Sequence, residues 1–333
     1  MLCLIWNAPI KADELAARDV APPETATSTR WFRSIVSQAT PVADFVGRGE
    51  FDASGSTPED GVRFSYDAQG RLIRIANYIN GRPANLGSIG ASAVRFEYPN
   101  GYEIRTYWDA TGAADAVWRI CYRGLEFSTE GTVHKEVFEL DDQGRRSALR
   151  IYDKNGDPTN THYGARDYTW VWLDDNKVIE MRQGPGVVPI PMTHFFDFNL
   201  TRITFDGRGI HWLIENVEEN GDLLSATTSG VAAVRFEYNE TMNEADYSFY
   251  DADDRITERR SYGCMPHGYA RITNSFGEDG RLLEEAYRDR FNQLTDNSDG
   301  FARATYDYDD QGQFVSTRFI SLDGSLIDYS RPY

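Results

Sequence analysis

The sequence predicts a mainly β fold: tandem antiparallel β-hairpin repeats forming an extended or coiled sheet, with a small helical N-terminal cap. Three observations predict it. Aromatic residues are abundant, with 19 Tyr, 18 Phe and 7 Trp beside 28 Gly, and such side chains suit a pleated surface while Gly suits its turns. A turn signal recurs along most of the chain at a nearly constant spacing. Between the turns, apolar residues fall at every second position, the period of a half-buried strand.

The segment 1–60 lies outside the repeat. "KADELAARD" and "STRWFRSIVSQA" read as short helices, with Ser28 or Thr29 as an N-cap, and "VAPPETATST" reads as the loop between them. Such a segment is expected to cover the open edge of the first hairpin, because repeat arrays need capping.

From position 61 to 333 the turns set the rhythm. The first set falls at Gly70, Gly101, Gly144, Asn176, Gly209, Asn243, Gly280 and Gly312. The steps between them are nearly even, apart from a longer one between Gly101 and Gly144. This gives about eight units. A second turn follows at a nearly fixed distance, at Gly81, Gly112, Gly156, Gly221, Asp254, Asn292 and Gly324. Only the Asn176 unit lacks it, running instead into "GPGVVPIP" (184–191). The interval between first and second turns leaves room for one strand of ordinary length. "RLIRIANYI", "RRSALRIYD" and "QFVSTRFIS" occupy it, rich in β-branched and aromatic types. Before each first turn stands an alternating strand, as in "VRFSY", "VRFEY" and "ATYDY". An aromatic residue closes most of them: Tyr66, Tyr98, Trp172, Phe205, Tyr238, Phe276 and Tyr308. In equivalent hairpins these side chains should form a cross-strand ladder.

"GASAVRFEY" (90–98) and "GVAAVRFEY" (230–238) match at seven of nine positions. Gly144-Arg145 recurs as Gly280-Arg281 at a similar offset. Together these suggest two four-unit halves, 61–190 and 191–333, with "GPGVVPIP" as a linker or irregular crossing. Unit two carries an insertion from Ala113 to Gly131 that holds Trp118, Cys121 and Tyr122. Insertions in arrays are natural places for specific function.

"YDAQGRLIRIANY", "DDQGRRSALRIYD", "GEDGRLLEEAY" and "YDYDDQGQFVSTRF" resemble YD repeats, also called RHS repeats, in a variant with a period of about 33 residues. The resemblance spans 61–333. It implies antiparallel hairpins joined edge to edge and a bacterial setting of toxin or defence complexes. It carries over no catalytic residue, and no RHS core or toxin domain is recognisable.

Charge and composition bound the function. The net charge is −18, with no basic cluster of the kind nucleic acid requires, so nucleic acid is not an expected partner. Acidity suits a basic partner, and more plainly it suits solubility. Three cysteines, Cys3, Cys121 and Cys264, form no disulfide framework or CxxC motif. No signal peptide or apolar run of membrane-spanning length is recognised, and a soluble, cytoplasmic protein is expected.

No pattern selects a catalytic residue, a metal or a cofactor. Cys264 and His267 could form a thiolate–imidazole couple if their side chains met, which makes a hydrolase or transferase the second alternative function. A loop thiol is the plainer reading. "DADD", "DKNGD" and "DNSDG" offer carboxylates for calcium, but each falls at a turn, where Asp, Asn and Gly serve the backbone. Trp108, Trp118, Tyr122, Trp170 and Trp172 are the binding candidates, able to stack on a sugar or a peptide if exposed. Alternation puts Trp170 and Trp172 on one strand face, and packing in the core is the competing role. The expected function is a non-catalytic repeat scaffold that binds another protein, with a carbohydrate-binding or envelope module as the alternative.

Overall fold

The computed structural model describes residues 26–36, 40–52, 60–85, 90–117, 132–161, 164–192, 196–226, 228–261, 266–277, 281–309 and 314–328. These fall into two compact units: unit 1, up to Ile190, and unit 2, from Pro191 onward.

Unit 1 contains β1 (Ser28–Ile35), β2 (Gly47–Phe51), β3 (Gly61–Tyr66), β4 (Leu72–Ile79), β5 (Arg82–Pro83), β6 (Ala93–Glu97), β7 (Tyr102–Trp108), β8 (Lys135–Leu140), β9 (Arg146–Tyr152), β10 (Asp167–Trp172), β11 (Lys177–Gly184) and β12 (Val188–Pro189). Antiparallel pairing runs β2–β1–β3–β4–β6–β7–β8–β9–β10–β11, and β5 and β12 fold back on β4 and β11. Unit 2 contains β13 (Leu200–Phe205), β14 (His211–Asn216), β15 (Ala233–Tyr238), β16 (Glu244–Tyr250), β17 (Arg271–Phe276), β18 (Leu282–Arg288), β19 (Arg303–Tyr308), β20 (Phe314–Ile320) and β21 (Leu326–Ile327). Each pairs antiparallel with the next.

The expected helical cap is not observed. Within the described residues the segment from Ser28 to Ile35 is β1, which pairs with β3 from Ser28↔Tyr66 to Phe32↔Val62. Trp31, Phe32, Ile35 and Val36 are buried. Their spacing fits a helix face, but the β-branched and aromatic residues prefer extended backbone, and the open ladder of β3 decides between the two. Ser28 and Thr29 are strand residues and cap nothing. "KADELAARD" lies outside the described residues. The boundary between the two units falls within "GPGVVPIP". Its first half is a tight turn closed by Val187 N–H donating to the Gly184 carbonyl at 3.2 Å, after which β12 returns along β11.

One turn chemistry builds most hairpins. In "DAQG" the Asp67 Oδ1 accepts from the backbone N–H groups of Gln69 and Arg71 at 2.9 and 2.8 Å. Asp67 N–H donates to the Arg71 carbonyl and Gly70 N–H to the Asp67 carbonyl. This arrangement holds Gly70 at φ +78, a region glycine enters without Cβ strain. Asp141 and Asp206 accept in the same way in the turns after β8 and β13, and Asn239 does so after β15. Met242 stands at the glycine position there, with φ 60, so the left-handed residue is Met242 and the expected Asn243 follows it.

The second turns repeat this chemistry at Asp109, Asp153, Asp251 and Asp289. The leading carboxylates of "DADD" and "DKNGD", offered for calcium, are therefore engaged by their own backbone. After the second turns the chain folds back onto the strand end, through a single bridge as in Tyr250↔Ile256 and Arg288↔Leu294 or through the two-residue strands β5 and β21.

Aromatic residues at the ends of the leading strands tie hairpins together. The Tyr98 hydroxyl donates to the Leu72 carbonyl at 2.8 Å and that of Tyr308 to the Leu282 carbonyl at 2.9 Å. Trp172 Nε1 donates to the Arg146 carbonyl at 2.8 Å. The sequence separation is the same in all three. The repeat aromatic therefore grips the first residue of the returning strand one hairpin earlier. In unit 2 the interior is an aromatic column, Phe249–Tyr269–Tyr287–Phe301–Phe319, with centroid separations of 5.6, 4.8, 5.4 and 4.7 Å. Among the described residues no helix is long and apolar enough to cross a membrane.

Candidate functional site: a polar notch and an exposed strand edge

In unit 1 the β6–β7 hairpin departs from the repeat chemistry of its two neighbours, and a cavity lies beside it. Where its neighbours carry Asp-x-x-Gly-Arg, the β6–β7 connection is Tyr98-Pro99-Asn100-Gly101, a shorter turn closed by Tyr102 N–H on the Pro99 carbonyl at 2.8 Å. The missing carboxylate and arginine leave a notch between the flanking turns at Gly70–Leu72 and Gly144–Arg146. The cavity there measures about 480 Å³. Its walls include Val42, Asp44 and Phe45 from the loop before β2, Tyr98 from the short turn, Glu103 and Arg105 of β7, and Trp172.

The floor is an ion network. Arg105, 2% exposed, donates through Nε to Glu103 Oε1 at 2.7 Å and approaches Glu136 Oε2 at 3.7 Å. Its guanidinium lies 4.3 Å from the Phe138 ring centroid and 5.0 Å from that of Phe45. Arg146 donates to Glu103 Oε2, to Asp44 Oδ1 at 2.7 Å and to the Val42 carbonyl at 2.7 Å. Burial works against the Glu103 charge, and the Arg105 and Arg146 guanidiniums outweigh it, holding its carboxyl below the usual range. Burial likewise works against the Arg105 charge, and Glu103 and Glu136 overcome it, raising its pKa. Both groups are ionised at neutral pH. One donor is left over: Arg105 Nη2 is buried with no hydrogen-bond partner among the described residues.

At the rim, Arg71 pairs with Asp67 at 2.7 Å and lies 4.8 Å from the Tyr98 centroid. Arg145 pairs with Asp141 at 2.9 Å and lies 5.4 Å from the Trp172 centroid.

Unit 2 offers a different feature. Residues Glu284–Ala286 of β18 pair with Arg303–Thr305 of β19. The equivalent junctions are Arg74–Ala76 with Ala93–Arg95, Leu213–Glu215 with Ala233–Arg235, and Asp246–Ser248 with Arg271–Thr273. The same positions of β20 are Ser316–Arg318. They pair with Asp307–Thr305 of β19 on one side, and among the described strands none pairs with them on the other. The two-residue β21 covers only Phe319 and Ile320. Glu285, Ala286 and Tyr287 of β18 are buried, whereas the matching Thr317 and Phe319 are half-buried and Arg318 is exposed. Val315, Leu322 and Leu326 beside them are exposed at 60%, 55% and 70%.

The binding candidates from the sequence are distributed as follows. Trp170 is buried, stacked between Phe138 and Tyr168, and donates to Glu180 Oε2 at 2.8 Å. Glu180 in turn pairs with Arg182 at 2.5 Å. Trp172 is half-buried and lines the notch. Trp108 is half-buried, with the Arg95 guanidinium 3.7 Å from its centroid and its Nε1 donating to Thr106 Oγ1. Trp118, Tyr122 and Cys264 lie outside the described residues. His267 is described, and its backbone N–H donates to Ser298 Oγ at 3.0 Å. No group of three metal-ligating side chains occurs among the described residues.

Sequence reasoning passed over Arg105, Glu103, Arg146 and Asp44, although the loss of Asp-x-x-Gly-Arg at "EYPNGYE" was a usable signal.

No family model matches the chain, and no curated protein matches it. Among solved structures, the chain is similar to a component of a TcdB2–TccC3–Cdc42 crystal structure, at 10% identity and a TM-score of 0.25, covering 89% of this chain and 18% of that one. It is also similar to a component of a Tc holotoxin pore from Photorhabdus luminescens bearing a substituted TccC3, at 10% identity and a TM-score of 0.18, covering 81% of this chain and 14% of that one. The chain thus spans less than a fifth of the length of either.

Proposed function

We propose that the chain is a non-catalytic repeat scaffold that binds another protein through the outer edge of β20. The observation supporting this is one repeat position in two settings. Glu285–Tyr287 are buried in β18, where another hairpin follows, while the matching Thr317–Phe319 of β20 are not, and Val315, Leu322 and Leu326 stand exposed around them. An exposed strand edge beside an apolar patch is a template for strand addition.

The internal junctions describe the occupant chemically. It is an extended segment whose apolar face runs from a small or β-branched residue through an aromatic to a closing tyrosine, with polar residues between, as in Ala233–Tyr238 or Arg303–Tyr308. The tyrosine would donate to the Phe314 carbonyl, as Tyr308 does to Leu282. The Asp-x-x-Gly-Arg hairpins and their likeness to RHS repeats support a setting in bacterial conflict, as part of a toxin or defence complex.

The test uses the full chain and a peptide of its own residues 231–240. Added peptide should slow amide hydrogen exchange at Ser316–Arg318, and Thr317→Pro, which removes a backbone donor and adds a ring at the edge, should abolish the protection. Equal protection in wild type and T317P, or none in either, would overturn the reading.

A further inference from the structure

We infer that the unit 1 notch is a binding site for an uncharged sugar ring, with Arg105, Glu103, Asp44 and Trp172 as its recognition groups. This goes beyond the protein-binding reading and concerns a different unit. The cavity, about 480 Å³, falls in the size range of small-ligand sites and exceeds what one hexose ring occupies.

Charge selects against an ionic ligand. The lining holds four guanidiniums, Arg71, Arg105, Arg145 and Arg146, and two carboxylates, Asp44 and Glu103. Asp67, Asp141 and Glu136 then pair with Arg71, Arg145 and Arg105 from behind, so positive and negative charges nearly cancel. An added anion or cation would lose its hydration and find no surplus of opposite charge to repay it.

The polar lining instead mixes guanidinium donors with carboxylates that can only accept. A hydroxyl group satisfies both sides, since it accepts from the guanidinium and donates to a carboxylate, whereas a carbonyl could only accept. Several adjacent hydroxyls on an apolar ring are the chemistry of a sugar, and Phe45, Phe96, Tyr98 and Trp172 supply walls for its C–H faces. The residue type expected from the sequence to stack on a ligand is therefore present in Trp172, but the polar selection comes from β7 and the loop at Val42–Phe45.

The experiment screens the full chain against an array holding neutral, sialylated and sulfated glycans, then titrates the methyl glycoside of the best neutral hit by ligand-observed NMR and tryptophan fluorescence. Neutral glycans should bind, and Asp44→Ala at the exposed rim and Trp172→Phe should each weaken binding about tenfold, equivalent to about 1.4 kcal/mol. Leu326→Lys in unit 2 should leave glycan binding unchanged while disturbing β20, which separates failure here from failure of the protein-binding reading. Circular dichroism confirms that the variants are folded. Binding of sialylated or sulfated glycans alone, binding unaffected by D44A and W172F, or no neutral hit would overturn the proposal.

Discussion

Arg105 of β7 and Glu285 of β18 occupy the same place in their hairpins, just ahead of the tyrosine whose backbone N–H donates to the next hairpin (Tyr107 to His134, Tyr287 to Ala302). Most other hairpins place an apolar residue there, such as Ile75, Leu149 or Ile214. Both charged side chains are buried, and the two units satisfy them by opposite means. Unit 1 surrounds Arg105 with Glu103 and Glu136, and Arg105 and Glu103 stay ionised. Unit 2 gives Glu285 the hydroxyls of Tyr287 and Tyr306, while burial pushes its carboxyl above the usual range. The hairpin frame therefore admits an ionisable side chain at this buried position, held charged in unit 1 and disfavoured as a charge in unit 2. What the unit becomes chemically depends on the partners around that side chain.

Breaking the unit 1 network should have the largest effect. Glu103→Ala leaves Arg105 and Arg146 buried against each other, and should cost about 3–5 kcal/mol in a urea titration. A loss below about 1 kcal/mol would mean the network is not the stabilising feature of unit 1.

A smaller effect is expected from the turn that defines the notch by contrast. Asp141 accepts from Gln143 and Arg145 N–H and pairs with the Arg145 side chain. Asp141→Ala should cost about 2 kcal/mol by the same titration. Asn100→Ala, in the short β6–β7 turn that has no carboxylate at its head, should cost only tenths. Smaller than the Asp141 effect is that of Tyr98→Phe or Tyr308→Phe, each deleting one bond between hairpins at about 1 kcal/mol.

The pH dependence sharpens the comparison most directly, because the two signs are opposite. Glu103 has its pKa lowered by folding, so its contribution is present above the ordinary value of 4.5 and lost as pH falls through the folded value. Glu285 has its pKa raised, so its contribution is full below 4.5 and lost as pH rises through the raised value. Glu285→Gln, which keeps a hydrogen-bonding group without the charge, should stabilise the protein at neutral pH and remove part of the stability lost as pH rises above 4.5. An unchanged pH profile in E285Q would show that Glu285 is well accommodated as a carboxylate.

Much of the hairpin series was legible because turn chemistry is local. Asp67, Asp141 and Asp206 bond to backbone groups in their own turns, so the motif announces its own conformation. The strand interval between first and second turns was legible for the same reason. The N-terminal segment was not, since Ser28–Ile35 suits helix and strand alike and only the β3 ladder resolves it. Less of the notch was legible. Trp172 stood out as an aromatic, but Arg105 reads as an ordinary polar residue of an alternating strand. The residues that make it a site, Asp44 and Arg146, come from a loop before β2 and from the start of β9, far from it in the chain.

The sequence by itself determined the hairpins, their period and the aromatic that closes most leading strands, because those follow from backbone sterics, side-chain alternation and hydrogen bonds between near neighbours. Only the tertiary structure decided which charges are buried together, which strand edge is left unpaired among the described residues and where a turn's shortness becomes a cavity. Those features depend on distances between residues far apart in the chain, and burial changes the energy of a charge or a strand edge far more than its local sequence does.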